Sequence, residues 1–262
     1  MTPVELLAFG DRHVEFRFAA GRGGRKSELV LLHEGLGSVA MWKDFPERLA
    51  EATGCRVLVY SRHGYGSSSP LTTDRTPDYM HEEARRWLPA VLDRLDVRNP
   101  VLFGHSDGAS IALIYAAEAD SRASGVIALA PHVTVEPVTM SSIAQAKVAY
   151  ETSDLRSRLA PYHADVDSVF WGWNRIWLKP EFRDWNIERL LPAIGVPVLA
   201  VQGREDEYGT LEQVESIRRA LPDTELLVLS GCRHAPHRDQ PAAVLEAARR
   251  FVERIERRHA AS

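Results

Sequence analysis

A chain of 262 residues, 45% of them apolar and 26% charged, has material for one large α/β domain carrying an insertion, or at a stretch two small domains. A formal charge of −4 and an isoelectric point near 6.2 imply no basic face, which excludes a general nucleic-acid binder. The opening residues lack a basic segment followed by a long apolar run, and no window reaches the length of a membrane span, so no membrane partner is expected. Two cysteines, Cys55 and Cys232, in a chain without an export signal point to reduced thiols and a cytoplasmic address.

Taken in order, the chain alternates short apolar runs with longer amphipathic stretches, the pattern of βαβ units and a mostly parallel sheet. His13 to Phe18 alternates polar and apolar residues as an antiparallel edge strand does, with Gly21-Arg-Gly-Gly24 as its turn. Leu29 to His33, Arg56 to Tyr60, Val101 to Gly104, Val126 to Ala130, Val198 to Val201 and Leu226 to Leu229 read as buried strands. Helical spacing runs from Pro77 to Leu95, Ala109 to Ala119, Leu211 to Leu221 and Ala242 to Ile255. In the last helix, Arg249 to Arg258 alternates with Glu253 and Glu256, as a solvated face does. From about Val133 to Leu191 no convincing strand is visible, and Trp171, Trp173, Trp177 and Trp185 crowd there. This stretch is expected to be a helical lid, 133–191, inserted into a core of 1–132 and 192–262. Its tryptophans either line a pocket or pack the insertion's own core.

The strongest local signal is Gly104-His-Ser106-Asp-Gly108, a Gly-x-Ser-x-Gly pattern with an apolar strand before it and a helix after it. A strand that turns so sharply into a helix strains its central residue and leaves no room for side chains beside it, so the flanking residues are glycine. The turn would present Ser106 Oγ above the strand ends and aim the Asp107 amide at whatever Ser106 attacks. A serine hydroxyl needs a base, and the base needs an orienting acid. Two later strands run into suitable residues: Gln202 to Glu207 carries Glu205, Asp206 and Glu207, and Ser230 to His237 carries His234 and His237. Both groups fall past the carboxyl ends of strands, where ligands bind in open α/β sheets.

With these motifs the chain resembles the α/β-hydrolase superfamily over nearly its full length, from Leu31-Leu-His-Glu-Gly-Leu-Gly-Ser38 to the final helix. The resemblance implies the chain order serine, acid, histidine. Gly203-Arg-Glu-Asp206 matches the family's acid turn and favours Asp206, and His234 matches the base, with His237 as its rival. It also implies an oxyanion hole of two backbone amides. Asp107 would supply one. The usual His-Gly pair is here His33-Glu34 followed by Gly35, so Gly35 is the first choice for the second donor and Leu36 the alternative. Arg62-His-Gly-Tyr-Gly-Ser67 resembles a family turn and reads as scaffold, with His63 and His105 as hydrogen-bonded structural histidines.

Asp107 carries two readings: an acid stabilising the first turn of a helix, or a carboxylate binding a cationic substrate group, as the likeness to amino-ester hydrolases at Ser106-Asp-Gly108 implies. The substrate pocket is expected to include Asp107, Trp171 and Trp177. His163, Asp165 and Asp167 read as a polar helix start rather than a metal site, and His234 with His237 has no third ligand cluster, so neither metal nor cofactor is expected. The activity expected is hydrolysis of a small or medium carboxylic ester or thioester through an acyl-enzyme on Ser106. Carbon–carbon hydrolysis of ring-fission products and a hydrolase-like small-molecule binding protein are the alternatives.

Overall fold

The computed structural model describes residues 3–21 and 27–261, the last three by their backbone alone. Strands β1 (Glu5–Phe9), β2 (Arg12–Ala19) and β3 (Glu28–Leu32) come first, then helix α1 (Phe45–Thr53) and strand β4 (Arg56–Tyr60). Helix α2 is built from a turn at Tyr79–Glu82, a π-helical turn at Glu83–Trp87 and a helix at Leu88–Arg94. Strand β5 (Pro100–His105) feeds α3 (Asp107–Ala116), and β6 (Gly125–Leu129) follows. A helical stretch then carries α4 (Pro137–Thr152), α5 (Leu155–Leu159) and α6 (Val166–Leu178). Strand β7 (Val198–Gly203), α7 (Glu212–Ala220), β8 (Glu225–Leu229), the short α8 (Pro236–Asp239) and α9 (Pro241–Ala261) complete the chain.

The eight strands form one sheet in the order β1-β2-β4-β3-β5-β6-β7-β8. The pairs β1·β2 and β2·β4 are antiparallel and the rest parallel, which is the mostly parallel α/β-hydrolase arrangement. The alternation over His13 to Phe18 marks a strand that is antiparallel but second from the edge. Glu5–Phe9, whose residues are exposed or half-buried, takes the edge instead. Of the turn at Gly21 to Gly24, the last three residues lie outside the described residues.

Parallel strands covered on both faces need continuous apolar sequence, and β5 and β6 are buried along their whole length. One face packs under α2, α3 and the helical stretch, and the other under α1 and α9. Local signals set the helix ends. Pro46 sits in the first turn of α1, where its missing N–H costs nothing, and Gly54 closes that helix at φ 73° with its N–H on the Ala50 carbonyl. Asp165 caps α6 by accepting from the Ser168 amide at 3.0 Å. In the register that results, Leu32 lies beside Gly104 and His105 beside Leu129. The loops leaving β3, β5, β6, β7 and β8 therefore open at the same end of the sheet.

Candidate active site

Ser106 stands between β5 and α3 at φ 53°, ψ −120°, a conformation that L side chains rarely adopt. Its neighbours show why the strain is tolerated. A Cβ on Gly108 would lie 2.0 Å from the Leu32 carbonyl oxygen, and one on Gly104 would lie 2.3 Å from the Gly108 carbonyl oxygen. Only glycine lets strand, turn and helix approach so closely, and α3 behind the turn is buried from end to end.

His234, from the loop after β8, places Nε2 3.0 Å from Ser106 Oγ, and its Nδ1 lies 2.8 and 2.9 Å from the two carboxylate oxygens of Asp206. Asp206, after β7, also accepts from the amides of Tyr208 (2.8 Å) and Gly209 (3.2 Å) and from Gln202 Nε2 (2.7 Å). Burial alone would raise its pKa. The His234 N–H, that ring's charge and the Tyr208 amide outweigh burial and hold it below the ordinary carboxylate range. An ionised Asp206 keeps the His234 proton on Nδ1, leaving Nε2 as the acceptor that faces the serine.

The neighbouring acids have their own tasks: Glu205 accepts from the Cys232 amide at 3.0 Å and Glu207 from the His234 amide at 3.2 Å. Three consecutive carboxylates thus brace the histidine loop, and only the middle one reaches the imidazole. His237, the rival base, is buried on the far side against Trp42, Phe45 and His105 and makes no hydrogen bond to Ser106 among the described residues. His105 stacks behind the turn with Nε2 2.7 Å from the His234 carbonyl and Nδ1 3.4 Å from Glu34. His63 differs from the hydrogen-bonded histidine expected: both ring nitrogens are buried without a partner among the described residues, and the ring packs 4.1 Å from that of Trp87.

Around the serine, the Gly35, Leu36 and Asp107 amides are not spent on protein carbonyls among the described residues. A Cβ on Gly35 would meet the Trp173 indole at 2.2 Å, so glycine there lets α6 close over the loop. His163 ties the same loop down, accepting from the Gly66 amide at 3.0 Å while its Nε2 donates to the Leu36 carbonyl at 2.9 Å. Arg62, fully buried, donates to the carbonyls of His33 and Glu34. The Arg-His-Gly-Tyr-Gly-Ser turn is scaffold: Arg62 directly, and Gly66 through His163, tie down the loop from His33 to Leu36.

The Asp107 carboxylate lines the cavity but is already engaged. It accepts from Tyr79 Oη at 2.7 Å and lies 3.7 Å from Arg62 Nη1, while Trp177 Nε1 donates to Tyr79 Oη at 3.1 Å. A carboxylate so compensated has little left for a cationic substrate. The chain Trp177–Tyr79–Asp107 instead ties α6 to the residue that follows Ser106.

The cavity above Ser106 measures about 680 Å³. Among its walls are Trp173, Trp177, His132 and Tyr208. Trp171, expected in the pocket, is not among its walls and packs against Tyr150 and Phe170. Residues 173 and 177 are one helical turn apart and share a face, whereas 171 and 173 are about 200° apart around the axis. Trp173 takes the place assigned to Trp171. His132, Tyr79 and Tyr208 escaped the sequence reading because no motif marks them; Trp173 stands there among the insertion's tryptophans, and helical phase along α6 is the signal that separates it from Trp171. No cluster of three or more His, Cys, Asp or Glu positioned to hold a metal occurs among the described residues, and none of their helices is long and apolar enough to cross a membrane.

Proline iminopeptidase of Lactobacillus crispatus is 37% identical over 95 residues, 36% of this chain and 32% of that enzyme, so the match spans about a third of it. The 2-hydroxy-6-oxo-6-phenylhexa-2,4-dienoate hydrolase of Burkholderia cepacia is 23% identical over 248 residues, covering 84% of this chain and 85% of that enzyme. Among solved structures, proline iminopeptidase of Mycobacterium smegmatis superposes with a TM-score of 0.76 at 18% identity, covering 99% of this chain and all of that one. The enol-lactonase of Burkholderia xenovorans gives 0.74 at 19%, covering 95% of this chain and all of that one. The model of the alpha/beta hydrolase family matches residues 29–247, from β3 into α9, and the chain is a hydrolase belonging to that family.

Proposed function

We propose that this hydrolase cleaves a small or medium carboxylic ester or thioester through an acyl-enzyme on Ser106. The observation that carries the reading is the unbroken contact from Ser106 Oγ to His234 Nε2 and from His234 Nδ1 to Asp206. His234 takes the Ser106 proton as Oγ attacks the carbonyl carbon, and the new oxyanion is received by the amides of Asp107 and of Gly35 or Leu36. Collapse expels the alcohol or thiol, which leaves with the proton from His234. Water, deprotonated by the same imidazole, then releases the acid and restores Ser106. The reaction asks for no metal or cofactor. The stretch 133–191 serves as the lid, contributing Trp173 and Trp177 to a cavity of about 680 Å³, a size for one small-molecule substrate rather than a polymer.

A second reading, carbon–carbon hydrolysis, is favoured by the relative from Burkholderia cepacia and by a 2-hydroxy-6-oxononadienedioate/2-hydroxy-6-oxononatrienedioate hydrolase of Pseudomonas, 23% identical over 239 residues. A panel of p-nitrophenyl alkanoates, matched acyl thioesters and 2-hydroxy-6-oxo-6-phenylhexa-2,4-dienoate separates the two. Ester hydrolysis is expected to exceed dienoate cleavage by at least about a hundredfold in kcat/KM, a margin of the size one well-placed set of polar contacts provides. The reverse order would transfer the assignment to carbon–carbon cleavage. Turnover of none by a folded protein would leave a binding protein on a hydrolase frame.

A further inference from the structure

We propose that His132 is a specificity-determining residue whose imidazole donates a hydrogen bond to an oxygen on the acyl part of the substrate, selecting acyl groups that carry a keto, hydroxyl or carboxylate oxygen near the scissile carbonyl. This rests on the serine hydrolase reading and adds the class of acyl group.

His132 leaves β6 beyond Ala130, itself held at φ 46°. Its backbone is fixed to the helix behind the nucleophile: Ser110 Oγ donates to the His132 carbonyl at 2.6 Å and accepts from the His132 amide at 3.2 Å. The ring is held between Trp177, at 5.0 Å between centroids, and His234, at 5.7 Å. It is a wall of the cavity and only 2% exposed.

A polar ring so enclosed ordinarily has its hydrogen bonds met by protein. Here neither ring nitrogen makes one among the described residues, and Nδ1 is wholly enclosed. Burial, the nearby His234 charge and His105 depress the pKa of His132 to about 3, with Asp206 opposing them, so the ring is neutral and carries one proton. An enclosed N–H without an acceptor costs more than an enclosed lone pair, which places the proton on Nε2 and leaves Nδ1 bare. The cavity then presents an N–H donor within a ring's breadth of the catalytic imidazole. A neutral donor favours an oxygen acceptor and offers nothing to an ammonium group. A packing role alone would be met by a phenyl or isobutyl group, without an unmet polar atom at each side of the ring.

The test compares p-nitrophenyl 3-oxobutanoate and 4-oxopentanoate with the butanoate and pentanoate that lack the extra oxygen. Binding is followed by tryptophan fluorescence in the Ser106→Ala protein, alone and combined with His132→Leu or His132→Gln. At least one oxo ester is expected to bind about tenfold tighter than its plain partner. His132→Leu should bring that ratio to about one, the loss falling on the oxo ester relative to its plain partner. His132→Gln, whose amide nitrogen reaches the position of Nε2, should retain most of it. Turnover of the same esters by the Ser106-containing protein separates the two proposals. Preference in binding without turnover would sink the esterase reading and leave the subsite standing. Equal binding within both pairs, binding of no ester, or equal loss on oxo and plain esters in His132→Leu would overturn the role of His132.

Discussion

Ser106→Ala and His234→Ala should each lower kcat/KM for p-nitrophenyl butanoate by about 10⁴-fold or more, and the double variant should be no worse than either alone. The reason is that the 3.0 Å contact between Oγ and Nε2 makes one functional unit. Once the nucleophile is gone the base has no proton to take, and once the base is gone the hydroxyl is not activated. Asp206→Asn tests the third member differently. Its carboxylate is held by Gln202 and the Tyr208 and Gly209 amides as well as by His234, so an amide of the same shape can keep its place while losing the charge that fixes the imidazole tautomer. A loss of about 10³- to 10⁴-fold with unchanged thermal stability is expected. Losses that multiply across Ser106 and His234 would mean that the two groups act independently.

Stability should fall steeply as the solution is made acidic. His33 and His237 are held well below the ordinary imidazole range, His63 near 4 and His132 near 3, with burial the largest cause in each. In the unfolded chain each titrates near 6.5. Below that value the unfolded chain binds protons that the native protein refuses, so the contribution is complete above about pH 6.5 and declines as pH falls toward the native values. Between pH 7.5 and 5.5 each histidine removes about 1.4 kcal/mol, and the four together about 5 kcal/mol. That corresponds to a drop in melting temperature of about 10–20 °C for a domain of this size. Calorimetry across this range checks it, and His63→Phe, remote from the nucleophile, should flatten the slope by about one proton's share. A melting temperature constant between pH 7.5 and 5.5 would contradict the burial of neutral imidazoles.

Much of this architecture is legible in the residues because two strong physical signals coincide. Strands covered on both faces must be continuously apolar, and Val101 to Gly104 or Val126 to Ala130 can be little else. A Gly-x-Ser-x-Gly turn between such a strand and a helix has few backbone solutions, so Ser106 is located before any coordinate is known. The acid turn and the His234 loop follow from the same logic, since both leave strand ends at one edge of the sheet.

What stays hidden is whatever depends on packing between distant segments. Glu5–Phe9 lacks a core-facing pattern because it is the sheet's edge, and α1 carries no motif, so neither strand nor helix is marked in advance. Trp171 and Trp173 are indistinguishable by composition and differ only in helical phase. His163 reads as part of a polar helix start, yet its ring joins Gly66 to Leu36 across the loop beside the nucleophile. Asp107 looks free to meet a cation until Tyr79 and Arg62, 28 and 45 positions earlier in the chain, are found against it. His132 is one histidine of ten in the chain until its ring is found in the cavity wall with a buried Nδ1 that has no partner among the described residues.

The central claim, an activated serine at position 106, is tested most directly by intact mass after exposure to a fluorophosphonate, with the wild type and Ser106→Ala treated side by side. A single adduct on the wild type that is absent from the variant is the result expected. A folded wild type that gains no adduct, or a Ser106→Ala protein that still gains one, would contradict it.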